Sequence, residues 1–298
     1  MARASSGQRL VDMLHAGHHS QSKENPHLIN RSTVWITVFT AALYVAAVVG
    51  GLHVHDLSGL NWPNAKPRKL TTWEPPSRAT IPNGARGESI LLGERIFNDT
   101  PIYAAEHTGA DISCDSCHAA HGTQPFASPM VGMPATFPQF NKRAGHRITL
   151  KDRIQECFVR SENGKPLDYD GKEMTAVVDY ITWLSQPEKQ SAAFVGRGLI
   201  KLPELTPDPK HGAGIYASQC AGCHGEHGEG RWPHPPLWGP NAFNDGAGMH
   251  GIPKMAAFVQ QNMPMNRKGI LTPQEAYDVS AFIHTQPRPT FNQEYAHF

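Results

Sequence analysis

Residues 114–118 read Cys-Asp-Ser-Cys-His, and residues 220–224 read Cys-Ala-Gly-Cys-His. Both stretches have the pattern C-x-x-C-H, which is typical of covalent attachment of a c-type haem. With 5 Cys and 17 His among 298 residues, about 0.005 matches to this pattern are expected by chance. Two matches therefore predict two covalently attached haem c groups.

The attachment chemistry assigns a role to each residue of the two motifs. The paired cysteines form thioethers to the haem edge, and the histidine that follows each pair is the proximal ligand of the iron. These attachment residues and proximal ligands are Cys114, Cys117, His118, Cys220, Cys223 and His224. A structural zinc site would need two further Cys or His ligands at suitable spacing for each motif, and neither motif has an obvious pair.

Helical periodicity surrounds each motif in the same order. Helices are predicted over 87–98, 149–160 and 172–185 in the first half, and over 209–221, 253–262 and 273–285 in the second half. Few strands are expected. The fold class that follows is all-α, with two tandem class I cytochrome c domains preceded by one N-terminal transmembrane helix.

The transmembrane helix is predicted from an uncharged stretch over 33–51. As a helix this stretch is roughly 28 Å long, close to the hydrocarbon thickness of a bilayer at about 30 Å. The long polar segment before it is not typical of a cleaved signal peptide. The predicted boundaries are a cytoplasmic arm over 1–32, a transmembrane anchor over 33–52, a Pro-rich spacer over 53–83, domain one with the first haem over 84–186, a linker over 187–209, and domain two with the second haem over 210–298.

Orientation is predicted from the haem motifs, because basic residues flank both ends of the anchor and do not decide it. Haem c is attached outside the bacterial cytoplasm. We therefore expect a single-pass protein of the bacterial inner membrane, held in the lipid bilayer by its N-terminal helix, with both haem domains in the periplasm. A formal net charge of +1 argues against a nucleic-acid partner.

Domain two offers a methionine, Met263, between its last two predicted helices. Class I cytochromes c, which this region resembles, use a methionine here, so the resemblance implies that Met263 is the distal ligand of the second haem. Met265, Met255 and Met249 remain alternatives. A thioether ligand raises the reduction potential, which suits an electron exit.

Domain one contains the fifth cysteine, Cys157, on the apolar face of its second predicted helix. A lone cysteine in an exported domain is a small core residue, an intermolecular disulfide partner or a reactive thiol. Here a haem iron also needs a sixth ligand. Other candidates for that ligand are Met130, Met133, His121 and His146.

Five segments of domain one resemble the dihaem thiosulfate dehydrogenase family. They are 137–140 (FPQF), 143–145 (RAG), 150–167 (LKDRIQECFVRSENGKPL), 173–174 (EM) and 183–185 (WLS). The run C-F-x-R-S-x-N-G is the specific part, and the resemblance extends over roughly 85–285. The anchor and the Pro-rich spacer lie outside it.

This resemblance implies the residues of a catalytic site. Cys157 would be the distal ligand of the first haem, with thiosulfate bound beside it among Arg143, Arg160, Arg147 and Ser161. Basic residues outnumber acidic residues in segment 139–165, as a site for a small dianion requires.

The implied activity is the oxidation of two thiosulfate ions to tetrathionate at a His/Cys-ligated haem. Electrons would leave through a His/Met-ligated haem to a periplasmic or membrane-bound acceptor, such as a cytochrome c or a terminal oxidase. One alternative is a non-catalytic tethered dihaem electron-transfer subunit of a respiratory membrane complex, and another is a sulfur-transfer cytochrome. The residues leave the physiological direction of the reaction open.

Overall fold

The computed structural model describes residues 73–186 and 194–298. The predicted N-terminal arm and transmembrane anchor lie outside these ranges, as do most of the Pro-rich spacer and the first part of the linker. Within the described ranges no helix is long and apolar enough to cross a membrane.

Domain one consists of short helices and one small hairpin. Its helices are α1 (Ala85–Asn98), α2 (Thr100–Tyr103), α3 (Cys114–Cys117), α4 (Leu150–Arg160) and α5 (Lys172–Leu184). Single 3-10 turns cover Arg78–Thr80, Ala105–His107 and Pro134–Thr136. The three helices predicted from periodicity are thus present, with small shifts at their ends.

The hairpin is a small β element in a largely helical domain, for which few strands were expected. Strands β1 (Gln139–Asn141) and β2 (His146–Ile148) pair antiparallel, with Gln139 opposite Ile148. The side-chain oxygen of Asn141 accepts hydrogen bonds from the main-chain N–H groups of Arg143 and Ala144 at 2.8 and 3.2 Å, which closes the turn. Strands this short contain too little alternation to be predicted from a period of two.

Helix α4 begins at Leu150, one residue after the predicted start. The Thr149 side chain caps it by accepting from Asp152 N, and the Asp152 carboxylate accepts from Thr149 N in return. This capping box satisfies two main-chain donors that the first turn leaves without partners. Ile154 and Phe158 are buried on its inner face, so the cap fixes which side chains the helix turns inward.

Domain two repeats the helical plan without a hairpin. Its helices are α6 (Pro209–Ile215), α7 (Ala221–His224), α8 (Ile252–Asn262) and α9 (Pro273–His284), and a π-helical turn over Tyr216–Cys220 joins α6 to α7. Single 3-10 turns cover Gly248–His250, Met265–Arg267 and Gln293–Tyr295. Thr272 caps α9, and Pro273 occupies its first position.

A glycine allows the main helix crossing in each domain. In domain one α1 crosses α5 at Gly93, where a Cβ atom would lie 1.9 Å from the carbonyl oxygen of Ala176. In domain two α6 crosses α9 at Gly212, where a Cβ atom would lie 2.0 Å from the carbonyl oxygen of Asp278. Both domains therefore depend on the same close backbone approach.

The two domains share a packed boundary within one compact unit. Ile112 of domain one is buried in the hydrophobic core of domain two. Main-chain and side-chain bonds cross beside it, from Asp111 N to Asn241 O at 2.9 Å and from Asn244 Nδ2 to Val159 O at 2.9 Å. The C-terminal end of α4 thus lies directly against domain two.

Candidate active site

A largely apolar cavity of about 280 Å³ lies beside the C-x-x-C-H motif of domain one. Cys114, Cys117 and His118 line one part of its wall, and Cys157 of α4 lines another. The apolar part of the wall includes Phe97, Ile112, Met130, Met133, Ile154 and Phe158. The fold therefore brings both attachment cysteines, the predicted proximal histidine and the predicted distal cysteine to one space.

Main-chain carbonyl groups orient the histidines of the two C-x-x-C-H motifs. His118 Nδ1 lies 2.6 Å from Ser128 O, and His224 Nδ1 lies 2.8 Å from Pro235 O. Because a carbonyl oxygen only accepts, Nδ1 is the protonated nitrogen and Nε2 keeps its lone pair. Burial lowers the pKa of His118 to about 4 and also lowers the pKa of His224, so both rings are in the neutral form that binds metals.

These donor sets fit haem c. Domain one combines paired thiols, a neutral imidazole and a further sulfur atom in an apolar wall. In domain two Cys220 and Met263 pack against the same hydrophobic core, whereas Met265 is 60% exposed. The residues present would hold two haems through the predicted cysteines and histidines.

An arginine contacts the sulfur atom of Cys157. Arg153 Nη1 donates to Cys157 Sγ at 3.2 Å, and the Arg153 side chain is 41% exposed. Residues four apart lie on the same face of a helix, so α4 presents the guanidinium and the sulfur together. Burial raises the pKa of Cys157, and the positive charge of Arg153 opposes that rise.

Two residues after α4 complete this part of the wall. Ser161 and Glu162 line the cavity, and Ser161 N donates to Cys157 O at 2.7 Å. Glu162 is 2% exposed, and its Oε2 has no hydrogen-bond partner among the described residues. Burial raises the pKa of Glu162 well above its usual range, which favours the neutral form of this carboxyl group.

The turn that holds these residues explains the Asn-Gly pair of the motif. Asn163 has a left-handed backbone with φ +47°, a conformation that asparagine tolerates better than most residues. A Cβ on Gly164 would lie 1.8 Å from His107 O, and a Cβ on Gly109 would lie 2.2 Å from Asn163 O. Close backbone packing therefore fixes Ser161 and Glu162 beside Cys157.

Two of the predicted arginines belong to the hairpin. Arg143 lies in its turn, with Nη1 3.8 Å from Glu156 Oε1 and Nη2 donating to Gly246 O at 3.3 Å. Arg147 lies exposed on β2 and donates to Pro138 O. Neither side chain is part of the described cavity wall, so the fold places them outside it.

Arg160 lies against the C-terminal segment of domain two. Its guanidinium is stacked 3.9 Å from the centre of the Phe291 ring, and Nη2 donates to the main-chain oxygen of Phe298 at 3.0 Å. The residue is 5% exposed, and burial lowers its pKa. Arg160 therefore joins the end of α4 to the C-terminal segment of domain two and does not line the described cavity.

The alternative distal ligands of domain one divide into two groups. His121 and His146 are exposed and bond to Asn98 Oδ1 and Ala144 O. Met130 and Met133 line the cavity together with Cys157. The structure thus keeps sulfur donors near the motif and places both alternative histidines outside the described wall.

Sequence reasoning did not single out Arg153 and Glu162 as site residues. For Arg153 a signal was present, because its spacing of four from Cys157 on a predicted helix places both on one face. Glu162 carried no such signal, since an acidic residue after a helix is usually solvated. Its position depends on the turn geometry at Asn163 and Gly164.

Comparisons with known proteins agree with this architecture. Residues 100–189 match the family described as SoxA/TsdA, cytochrome c domain, and residues 207–283 match the one described as Cytochrome C oxidase, cbb3-type, subunit III. Thiosulfate dehydrogenase of Allochromatium vinosum is 40% identical over 229 residues, which are 73% of this chain and 85% of the relative. Thiosulfate dehydrogenase of Stutzerimonas stutzeri is 33% identical over 261 residues, which are 85% of each chain.

A solved structure is also similar. It is thiosulfate dehydrogenase (TsdBA) from Marichromatium purpuratum in its "as isolated" form, with a TM-score of 0.68 and 37% sequence identity. The match covers 73% of this chain and 50% of that chain, so this chain spans about half the length of that relative.

Proposed function

Because this chain belongs to the thiosulfate dehydrogenase family of dihaem oxidoreductases, we propose that it joins two thiosulfate ions to tetrathionate at the cavity of domain one. The reaction forms one sulfur–sulfur bond and releases two electrons. When bound, the haems on the two motifs supply the one-electron acceptors that this oxidation needs. The observation that carries the proposal is the contact between Arg153 Nη1 and Cys157 Sγ in the cavity wall.

Cys157 is the nucleophile of the proposed reaction in its thiolate form, which is the competent sulfur nucleophile in proteins. The charge of Arg153 favours this form and opposes the effect of burial. The Cys157 Sγ bonds to the outer sulfur of one thiosulfate, and two electrons leave as this bond forms. The second thiosulfate then attacks that outer sulfur. The bond to Cys157 Sγ breaks, tetrathionate leaves, and the thiolate is restored.

Arg153 binds and orients the anions in this proposal. Two dianions repel each other strongly where water is excluded, and a guanidinium offsets that repulsion while donating charge-assisted hydrogen bonds to oxyanions. The Ser161 hydroxyl provides a second donor from the same wall. Arg143 and Arg147, on the hairpin, raise the local concentration of the dianion outside the cavity, and Arg160 holds the end of α4.

The finer parts of the proposal concern ligation and location. Cys157 would bind the iron of the first haem and Met263 that of the second; the partly buried Met263 packs against the same hydrophobic core as Cys220. Domain two is the electron exit toward a periplasmic or membrane-bound acceptor. The uncharged stretch over 33–51 supports an anchor over 33–52 in the bacterial inner membrane, with the haem domains in the periplasm.

The test is thiosulfate-dependent reduction of ferricyanide by the purified holoprotein, with tetrathionate measured as the product. We expect activity in the parent and none in Cys157→Ala at equal haem content. An electron paramagnetic resonance spectrum of the resting protein should show one ferric haem with thiolate character. A fully loaded parent protein that reduces no ferricyanide would instead identify a non-catalytic electron-transfer subunit.

A further inference from the structure

Glu156 is a buried acidic side chain of α4, directly before Cys157, to which the proposed reaction assigns no role. It is 3% exposed, and acidic residues are rarely buried unless they are paired. Glu156 is not part of the cavity wall that Arg153 and Cys157 line; it lines a separate cavity of about 230 Å³ together with His146 and Asp152. Any effect of Glu156 on the reaction therefore passes through other side chains or through its charge.

The Glu156 carboxylate joins α4 to the hairpin. Its Oε1 accepts a hydrogen bond from Asn141 Nδ2 at 2.9 Å and lies 3.8 Å from Arg143 Nη1. Its Oε2 lies 3.4 Å from Arg153 Nη1. Asn141 and Arg143 belong to the hairpin, whereas Arg153 precedes Glu156 by about one turn of α4. One carboxylate thus sets the position of the hairpin relative to the part of the helix that carries Arg153.

The same nitrogen of Arg153 contacts both Glu156 and Cys157. Arg153 Nη1 lies 3.4 Å from Glu156 Oε2 and donates to Cys157 Sγ at 3.2 Å. The Arg153 side chain is partly exposed, and a long side chain of this kind has many rotamers available unless its partners fix it. The ion pair with Glu156 therefore holds the guanidinium where it reaches the sulfur.

Three arginines share the charge of Glu156. Burial lowers the pKa of Arg160, and the charges of Arg143 and Arg153 lower it further, whereas the charge of Glu156 opposes them. Guanidinium groups this close repel each other where water is partly excluded. Removal of the carboxylate would leave that repulsion uncompensated, and the partly exposed Arg153 would turn toward solvent and away from Cys157.

We propose that Glu156 is a positioning residue, which holds Arg153 against Cys157 Sγ and holds the hairpin with Arg143 against α4. This inference rests on the proposed oxidation of thiosulfate at Cys157. A carboxylate near a dianion site increases the repulsion that the substrate meets. Its contribution to catalysis outweighs that repulsion because it keeps the guanidinium of Arg153 at the reacting sulfur.

The two ways in which Glu156 can act have opposite signs. Glu156→Gln removes one negative charge at nearly constant shape. If Glu156 acted through its charge alone, this variant would bind the thiosulfate dianion more tightly, and kcat/KM would rise. Because we infer that Glu156 acts through Arg153, we expect kcat/KM to fall by about tenfold.

The experiment is a double-mutant cycle on the purified holoprotein, with thiosulfate-dependent ferricyanide reduction as the assay. Parent, Glu156→Gln, Arg153→Gln and the double variant are compared at equal haem content. In the Arg153→Gln background the Glu156 substitution should change kcat/KM by less than about twofold, because the residue it acts through is already absent. The matched control is Glu94→Gln, which removes a half-buried carboxylate of α1 that pairs with Arg78 at 2.6 Å and should leave kcat/KM at the parent value.

A second readout needs no turnover. The electron paramagnetic resonance signal of the resting ferric haem in domain one should shift in Glu156→Gln, because the hydrogen bond from Arg153 tunes the sulfur that would bind its iron. The signal of the haem in domain two should stay unchanged and serves as the internal reference. Glu156→Asp, which keeps the charge on a shorter side chain, should show a smaller shift and a smaller loss of activity.

Two results would overturn the inference. One is a kcat/KM in Glu156→Gln that equals or exceeds that of the parent. The other is an equal loss from Glu156→Gln in the parent and in the Arg153→Gln background with an unchanged resonance signal, because Glu156 then acts through the fold and not through Arg153. A parent protein that is fully loaded with haem and oxidises no thiosulfate contradicts the proposed function instead, and the resonance comparison then decides the role of Glu156 by itself.

Discussion

Domain one and domain two hold their motif histidines in the same way and differ in what α4 and α8 place near the motif. Both motif histidines donate Nδ1–H to a main-chain oxygen, that of Ser128 in one domain and that of Pro235 in the other. In domain one α4 presents Cys157 and Arg153 to the cavity. In domain two α8 ends at Met263, which is its C-cap. The two domains thus share a helical plan and differ in the few side chains placed near the motif, which can support different chemistry.

The largest effect is expected when Cys157 of domain one is replaced by methionine, the residue at the corresponding candidate position, Met263, in domain two. Cys157→Met keeps a sulfur donor in the cavity but removes the nucleophile. We expect a loss of thiosulfate oxidation of at least about a thousandfold, with both haems still attached. Steady-state kinetics and the haem absorption spectrum check this, and a variant retaining a tenth of the activity would contradict the role of Cys157.

The second prediction tests the positive charge of Arg153, which domain one places beside Cys157. Arg153→Gln removes the charge beside Cys157 but keeps a hydrogen-bond donor, and we expect kcat/KM for thiosulfate to fall by about a hundredfold. The matched control is Arg86→Gln, which removes an exposed arginine from the first turn of α1. Equal kinetics in the two variants would show that net charge, not the Arg153 contact, governs binding.

A third prediction concerns the helix crossing at a glycine, which the two domains share. Gly93→Ala and Gly212→Ala each force a Cβ against a carbonyl oxygen at a helix crossing, and we expect each to cost about 1–3 kcal/mol of stability. Gly214→Ala, on the same helix as Gly212, meets no atom within 4 Å and should stabilise by up to about 1 kcal/mol. Thermal unfolding followed by circular dichroism measures all three.

The smallest effect is a pH dependence confined to domain two. His211 Nδ1 lies 2.8 Å from Asp278 Oδ2. This bond to the Asp278 carboxylate raises the pKa of His211 above its usual value of 6.5. The bond therefore stabilises domain two fully below pH 6.5, and this contribution is lost as pH rises through the raised pKa.

The check compares melting temperatures at several pH values across this window. We expect the parent to lose a small increment of stability between acidic and alkaline pH that His211→Gln does not lose. Burial alone would raise the pKa of Asp278, but hydrogen bonds from Asp208 N and His211 lower it, so its own titration falls below this window. Identical pH profiles for parent and variant would rule out the pair as the cause.

The sequence predicted the helices better than it predicted the site. Helices α4 and α9 follow from a capping threonine and an apolar periodicity, which are local signals. The hairpin at Asn141 depends on side-chain to main-chain bonds in a tight turn, for which a three-residue strand gives no periodic signal. Helices with local signals were therefore predictable, and the hairpin was not.

The same division applies to the site residues. Cys157 could be nominated from its position on a helix and from the family motif, and the structure places it in the cavity. The positions of Arg143 and Arg160 depend on how the hairpin and the C-terminal segment fold against α4, which involves residues far apart in the chain. Basic composition identified the region but not which arginine reaches the sulfur.

The position of Ile112, between the cavity of domain one and the core of domain two, bears on the proposed electron transfer between the domains. It lines the cavity of domain one and is at the same time part of the core of domain two, with 4% of its surface exposed. The medium at this point is a close-packed aliphatic side chain. Such a side chain carries almost no dipole to reorient, so it would add little reorganisation energy to the proposed electron transfer between the two domains.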